Sequence, residues 1–314
     1  MNYKIFNYKL YKILNPDLSH MNEEQLITHY IEHGYNENRL INIDCKLYKI
    51  LNCDLSHMTN KELINHYIEY GHKENRLITF DNINIFIYCS GKSGSTTLYN
   101  TLKNNKYKCF HVHRNKNYLE NYKEIKKYES VFKLITNNLT LHENIFIIDS
   151  YRNPIERKIS SFFQHLSKFM VNYENINICE LINKFNNSYL EDLENYHSID
   201  EIMNYFNINI FDSFDFEKKY NLLEYKNIKF IKLRFNDISI WNEILSNIFN
   251  TNIIMYNENL SENKNYINIY KNFKNNYKIP KEYLEKIKND THFKIYNTQI
   301  EQDEYIEYWK SKSY

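Results

Sequence analysis

The 314-residue chain sets 40 Lys and Arg against 39 Asp and Glu, a formal net charge of +1, which excludes a global field for nucleic acid and leaves room only for a local basic groove. Its 42% hydrophobic residues are enough to fill the core of one α/β domain with a small helical appendage. The five cysteines (Cys45, Cys53, Cys89, Cys109, Cys179) are unpatterned and odd in number, predicting reduced thiols, and the sequence reads without a signal peptide or an apolar run long enough to span a bilayer.

The first segment is an internal repeat. Tyr11-Lys12-Ile13-Leu14-Asn15-Pro16-Asp17-Leu18-Ser19-His20-Met21 recurs as Tyr48-Lys49-Ile50-Leu51-Asn52-Cys53-Asp54-Leu55-Ser56-His57-Met58, an offset of 37 residues. His29-Tyr30, Gly34 and Arg39-Leu40-Ile41 recur at the same offset as His66-Tyr67, Gly71 and Arg76-Leu77-Ile78. Each unit predicts a short helix, an Asn-x-Asp turn, a longer helix ending at a glycine C-cap and a basic exit. Residues 1–79 therefore read as two helical repeats, with residues 80–314 as an α/β domain. The histidines of the repeats (His20, His29, His57, His66) fit packing or turn roles better than metal ligation. The units resemble small helical repeats found beside glycosyltransferase and polysaccharide-processing domains, which implies glycan docking or homo-oligomerisation.

Next comes a β-branched run, Ile83 to Tyr88, followed by Ser90-Gly91-Lys92-Ser93-Gly94-Ser95-Thr96-Thr97-Leu98. A buried parallel-type strand, a loop of small residues and a helix starting near Ser95 make the layout of a phosphate cradle, to which Lys92 adds a full charge and Ser95, Thr96 and Thr97 add hydroxyls. A Walker loop needs glycine where Phe86 stands, and a dinucleotide fingerprint needs a third glycine beyond Gly91 and Gly94, so neither applies.

Tyr107 to Arg114 predicts the second strand, with His111 and His113 on one face. Asn144 to Tyr151 predicts a third, running into Arg152-Asn153-Pro154-Ile155-Glu156-Arg157-Lys158-Ile159-Ser160-Ser161-Phe162-Phe163. Pro154 suits a first helical turn, and Arg152 and Ser160, about two turns apart, can bracket one dianionic phosphate. Residues 188–226 read as an insertion shaping an acceptor cleft, and 227–235 as a further strand. Amphipathic helices are expected over 155–169, 178–186, 239–249 and 281–289, with a last helix over 305–310. Arg234 and Asp237 read as a structural ion pair.

Taken together, the order Lys92-Ser93-Gly94-Ser95-Thr96, then Arg152 and Ser160 after a later strand, resembles the PAPS-dependent sulfotransferases. Arg157 and Ser161-Phe162-Phe163 look most like the carbohydrate sulfotransferases and a group of capsular polysaccharide synthesis proteins. The resemblance implies a P-loop-like three-layer α/β fold around a central parallel sheet, and transfer of a sulfuryl group from PAPS to a carbohydrate hydroxyl, leaving 3′,5′-ADP. It implies that Ser90 to Thr97 hold the 5′-phosphosulfate, Arg152 and Ser160 the 3′-phosphate, and Lys92 the bridging oxygen. A histidine after the intermediate strand takes the acceptor's proton in several such enzymes, so His113 is the first candidate base, with His111, Glu120 and Glu124 behind it. No metal is needed. Asn236 departs from the glutamate of a Tyr-Glu-Asp-Leu signature, and the lack of a membrane anchor departs from the Golgi enzymes, pointing to a cytoplasmic enzyme of a microbe or large virus. The competing readings are a kinase, for which Asp149 is the one plausible metal ligand, and a non-catalytic glycan or nucleotide binder.

Overall fold

The computed structural model describes residues 6–113, 130–166, 176–190, 198–256 and 266–313. The chain divides into two compact units, Met1–Ile83 with Lys106–Lys108, and Asn84–Asn105 with Cys109–Tyr314.

In the first unit, helices α1 (Tyr8–Leu14) and α2 (Glu23–His29) are followed at the repeat offset by α3 (Cys45–Leu51) and α4 (Asn60–His66). The repeated residues make repeated bonds. Asn15 Nδ2 donates to the carbonyls of Tyr11 and Leu40, and Asn52 Nδ2 to those of Tyr48 and Leu77, each at 2.8–2.9 Å. Tyr11 Oη is 3.0 Å from His29 Nδ1, and Tyr48 Oη is 3.0 Å from His66 Nδ1. Arg39 grips both carboxylate oxygens of Asp17, as Arg76 grips those of Asp54. Both α2 and α4 open with a capping box, Asn22 with Gln25 and Thr59 with Glu62.

Gly34 and Gly71 do not act as the expected C-caps. The helix widens into a π turn through Tyr30–Gly34 and again through Tyr67–Gly71, and the left-handed residues are Asn38 (φ 52°) and Asn75 (φ 54°). Glycine is required for space instead, because a Cβ at Gly34 would collide with the Tyr11 hydroxyl and one at Gly71 with that of Tyr48. Leu10 of α1 packs with Tyr48, Leu63 and Tyr67, so the second repeat forms its core with a helix of the first.

The second unit is built on a five-stranded sheet of β1 (Ile85–Tyr88), β2 (Cys109–Val112), β3 (Ile145–Tyr151), β4 (Tyr220–Tyr225) and β5 (Ile228–Arg234), in the order β2-β1-β3-β5-β4. The first three pairs are parallel. β1, β3 and β5 are almost wholly buried, as continuous apolar runs require. The sheet was expected to be parallel, but it is mixed, because β4 runs antiparallel to β5 at the edge. Residues 220–225 were expected within an insertion. They form a hairpin instead, through the two-residue turn Lys226-Asn227, where Lys226 has φ 54°.

Side chains alternate across the sheet, and both faces carry helices. On one face, Ser150 Oγ donates to the Ser93 carbonyl just before α5 (Ser95–Asn104), and Phe146 packs on Phe249. On the other, Asp149 accepts from the Ile199 amide of α9 (Ser198–Tyr205). Three layers result. The remaining helices are α6 (Val131–Asn138), α7 (Pro154–Gln164), α8 (Ile178–Phe185), α10 (Trp241–Phe249), α11 (Ile267–Asn276), α12 (Lys281–Asn289), α13 (Thr291–Ile295) and α14 (Gln299–Lys310). Phe162, Phe163, Phe185, Phe273, Tyr277 and Trp309 form an aromatic core among α7, α8, α11 and α14. β1 lies between β2 and β3, so the chain order along the sheet reverses beside β1, the kind of switch point at which open α/β sheets bind ligands.

Candidate functional site

The loop between β1 and α5 is held from the protein side by its carbonyls. Ser93 Oγ donates to the Ser90 carbonyl at 2.7 Å, Arg152 Nη1 to the Lys92 carbonyl at 2.9 Å, and Ser150 Oγ to the Ser93 carbonyl at 2.7 Å. In a trans peptide the N–H points opposite to the C=O, so the amides of Gly91, Ser93 and Gly94 face away from these tethers. Lys92 (φ 70°) and Gly94 (φ 92°) supply left-handed steps that turn the loop between β1 and α5. Gly94 is the N-cap of α5 and offers no capping side chain, so the first-turn amides of that helix are left for another acceptor.

The two glycines have different roles. Space beyond Gly91 is open, with no atom within 4 Å of a notional Cβ. At Gly94 a Cβ would stand 2.8 Å from Trp241 Cη2 and 3.0 Å from Phe235 Cδ2. Gly94→Ala is therefore expected to cost about 1–2 kcal/mol for the left-handed backbone, with about 1–3 kcal/mol more for overpacking. Gly91→Ala is expected to fold within about 0.5 kcal/mol of the parent. Urea unfolding of the two variants side by side checks this, and equal midpoints would contradict it.

Arg152 leaves the end of β3, and its guanidinium lies 4.2 Å from the Phe235 ring centroid. Burial lowers its pKa, and among the described residues no carboxylate forms an ion pair with it. The half-buried guanidinium is thus engaged by the Lys92 carbonyl and the Phe235 ring rather than by a paired carboxylate. Ser160 stands half-buried on α7 and has no hydrogen bond to Arg152 or the loop. Ser95 and Thr97 are buried in the first turn of α5, and Thr96 is half-buried. The Ser93 hydroxyl is consumed within the loop by the Ser90 carbonyl. Lys92 is half-buried.

The two histidines share a face of β2, with ring centroids 4.6 Å apart. His113 Nδ1 is 2.8 Å from the Cys89 carbonyl. A carbonyl only accepts, so Nδ1 carries the hydrogen and the lone pair of the neutral ring lies on Nε2. His113 is exposed at the carboxyl edge, beside the start of the loop. His111 stacks on Tyr99, its Nε2 is buried without a partner, and burial followed by the neighbouring His113 pushes its pKa down to about 3. It is a neutral packed ring. Glu120 and Glu124 lie outside the described residues.

Asp149 is not placed as a metal ligand. It is buried and ion-paired to Lys232 at 2.6 Å, and it accepts from the amides of Ser150 and Ile199. No cluster of three or more His, Cys, Asp or Glu suited to a metal occurs among the described residues. Arg234 binds Asp237 through two nitrogens, with Glu301 as a further partner, a buried structural network. Sequence reading missed Ser150, Phe235, Trp241 and the Tyr305 hydroxyl, which donates to Glu156 at 2.8 Å. Phe235 opens the run compared with the Tyr-Glu-Asp-Leu signature, but Ser150, Trp241 and Tyr305 carry no local motif, and Tyr305 lies 149 positions from its partner. Comparison of the chain with protein-family models, curated proteins and solved structures finds no match.

Proposed function

We propose that the second unit is a PAPS-dependent sulfotransferase with a P-loop-like nucleotide site, transferring a sulfuryl group to a carbohydrate hydroxyl. One observation carries the reading: Arg152 hydrogen-bonds to the Lys92 carbonyl, joining two anion-binding motifs 60 residues apart at the sheet's switch point.

In this scheme the amides of Gly91, Ser93 and Gly94 and the start of α5, with Ser95, Thr96 and Thr97, hold the 5′-phosphosulfate. Arg152 holds the 3′-phosphate, with Ser160 approaching from α7. Lys92 meets the charge that builds on the bridging oxygen as the S–O bond breaks in line. His113 Nε2 takes the proton of the acceptor hydroxyl, while His111 buttresses its ring. A kinase would need a free acidic metal ligand, and the Lys232 pair occupies Asp149.

The test is calorimetric binding of 3′,5′-ADP, AMP and ATP with Mg²⁺ to the parent and to Arg152→Ala. The expected result is a preference for 3′,5′-ADP that falls about 10- to 100-fold in the variant, the worth of a charge-assisted hydrogen bond, with AMP little changed. Preference for ATP with metal would favour a kinase. No nucleotide binding would leave an interaction protein.

A further inference from the structure

We propose that β4 is a dimerisation edge, along which a second copy of this chain adds its own β4, antiparallel, about a two-fold axis at Leu222. β4 ends the sheet order, so its outer edge has no strand partner among the described residues. The two-residue turn Lys226-Asn227 closes on the hydrogen-bonded pair of Tyr225 and Ile228, and the pairs alternate from there. Asn221, Leu223 and Tyr225 therefore bond to β5, while Tyr220, Leu222 and Glu224 aim their backbone N–H and C=O groups outward. No loop or helix backbone among the described residues bonds to those three. A cavity of about 510 Å³ opens along the strand, lined by residues 220–223 and by residues 211–215 with Lys218. The neighbouring loop leaves the edge open. Asn221 Nδ2 donates to the Ser213 carbonyl at 2.6 Å, and Asn221 Oδ1 accepts from the Asp215 amide at 2.8 Å. These bonds tie the loop to the face of the sheet that carries Asn221, Lys232 and Asp149.

The edge is complementary to itself. Edge strands are commonly blunted by a proline, a bulge or a central charge, whereas β4 keeps an unbroken register and places Leu222, 41% exposed, at its centre. With Leu222 opposite Leu222 of the second copy, Tyr220 lies opposite Glu224 of the second copy, and Glu224 opposite its Tyr220. Each of these residues then both donates and accepts across the axis, so the outward backbone groups of both copies are satisfied together. On the side-chain face the two leucines meet, and the Tyr220 hydroxyl can donate to the Glu224 carboxylate of the second copy. Charge favours the same direction. The end of the strand near Tyr220 carries Asp212, Asp215 and Glu217 against Lys218 and Lys219, and the end near Tyr225 carries Lys226 and Lys229 against Glu224. Antiparallel pairing sets the acidic end of one copy against the basic end of the other, and parallel pairing would set like against like. The contact is isologous, so it closes as a dimer. Strand direction reverses across the axis, so the carboxyl edges of the two sheets point opposite ways and the two loops after β1 open on opposite sides.

The experiment is sedimentation velocity on the full chain over a range of concentrations, for the parent and Leu222→Pro. Proline at 222 removes an N–H that faces outward and leaves the ladder to β5 intact, so the variant is expected to keep the parent's urea unfolding transition. Its dimer dissociation constant is expected to rise by about tenfold or more. Cysteine variants read the register without relying on proline. Leu222→Cys sets two thiols across the axis on Cα atoms about 5.5 Å apart, within disulfide reach, so mild oxidation is expected to give a covalent dimer that a reductant splits. Glu224→Cys sets its two thiols about 13 Å apart along the strands and is expected to cross-link no more than the oxidised parent. Mixing Glu224→Cys with Tyr220→Cys is expected to restore the bond. A parent that sediments as a monomer at every concentration would overturn the proposal. So would a folded Leu222→Pro that dimerises as the parent does, which would put the contact on another surface, or a Leu222→Cys that cross-links no better than Glu224→Cys.

Discussion

Asp149→Ala is expected to destabilise the protein by about 3–5 kcal/mol, because it strands the Lys232 ammonium in the sheet. Both side chains are 2% exposed and sit 2.6 Å apart on neighbouring strands. Burial alone would lower the Lys232 pKa, but the Asp149 carboxylate, with Tyr296 and Asp200 behind it, more than offsets this and the net direction is upward. A lysine pKa raised by folding contributes stability that is complete below the unfolded value and lost as pH rises through the folded one. The contribution is therefore present at neutral pH. The substitution also removes the acceptor for the Ile199 amide at the start of α9. Urea denaturation at neutral pH measures the loss, and the double variant Asp149→Ala with Lys232→Met should regain a large part of it by leaving no buried charge. Two results would contradict the account: a single variant as stable as the parent, or a double variant no better than the single.

Lys92→Ala is expected to lose about two orders of magnitude in sulfuryl transfer, the equivalent of about 3 kcal/mol of transition-state stabilisation. Nucleotide binding should survive, since the contact with Arg152 uses the Lys92 backbone carbonyl, which alanine keeps. The loss should appear in kcat with little change in nucleotide affinity. Lys92→Gly separates charge from strain. Residue 92 is left-handed at φ 70°, which a side chain tolerates at about 1–2 kcal/mol, so the glycine variant should match alanine in rate yet unfold at higher denaturant. Full activity in either variant would remove Lys92 from the chemistry.

The sequence by itself determined the strands β1, β2, β3 and β5, the loop after β1, the helix after Arg152 and the repeat offset. Each of these is encoded by a local period or by residues a few positions apart. A buried parallel strand must be a continuous apolar run, as Ile145 to Ile148 is, and a phosphate-type loop must place small residues between a strand and a helix, as Ser90 to Ser95 does. Tertiary structure alone decided the rest. β4 escaped detection because an edge strand needs no apolar run and its Lys226-Asn227 turn lacks the glycine that marks most hairpins. Gly34 and Gly71 were read as caps, but their lack of a Cβ makes room for a tyrosine 23 residues earlier. Asp149, Arg152 and Glu156 were visible as charges. Which one is neutralised by a neighbouring strand, which lies over an aromatic ring and which is held by a distant hydroxyl depend on Lys232, Phe235 and Tyr305. A side chain's chemistry is local, whereas its pairing, burial and field come from segments that meet only when the sheet and its helices pack.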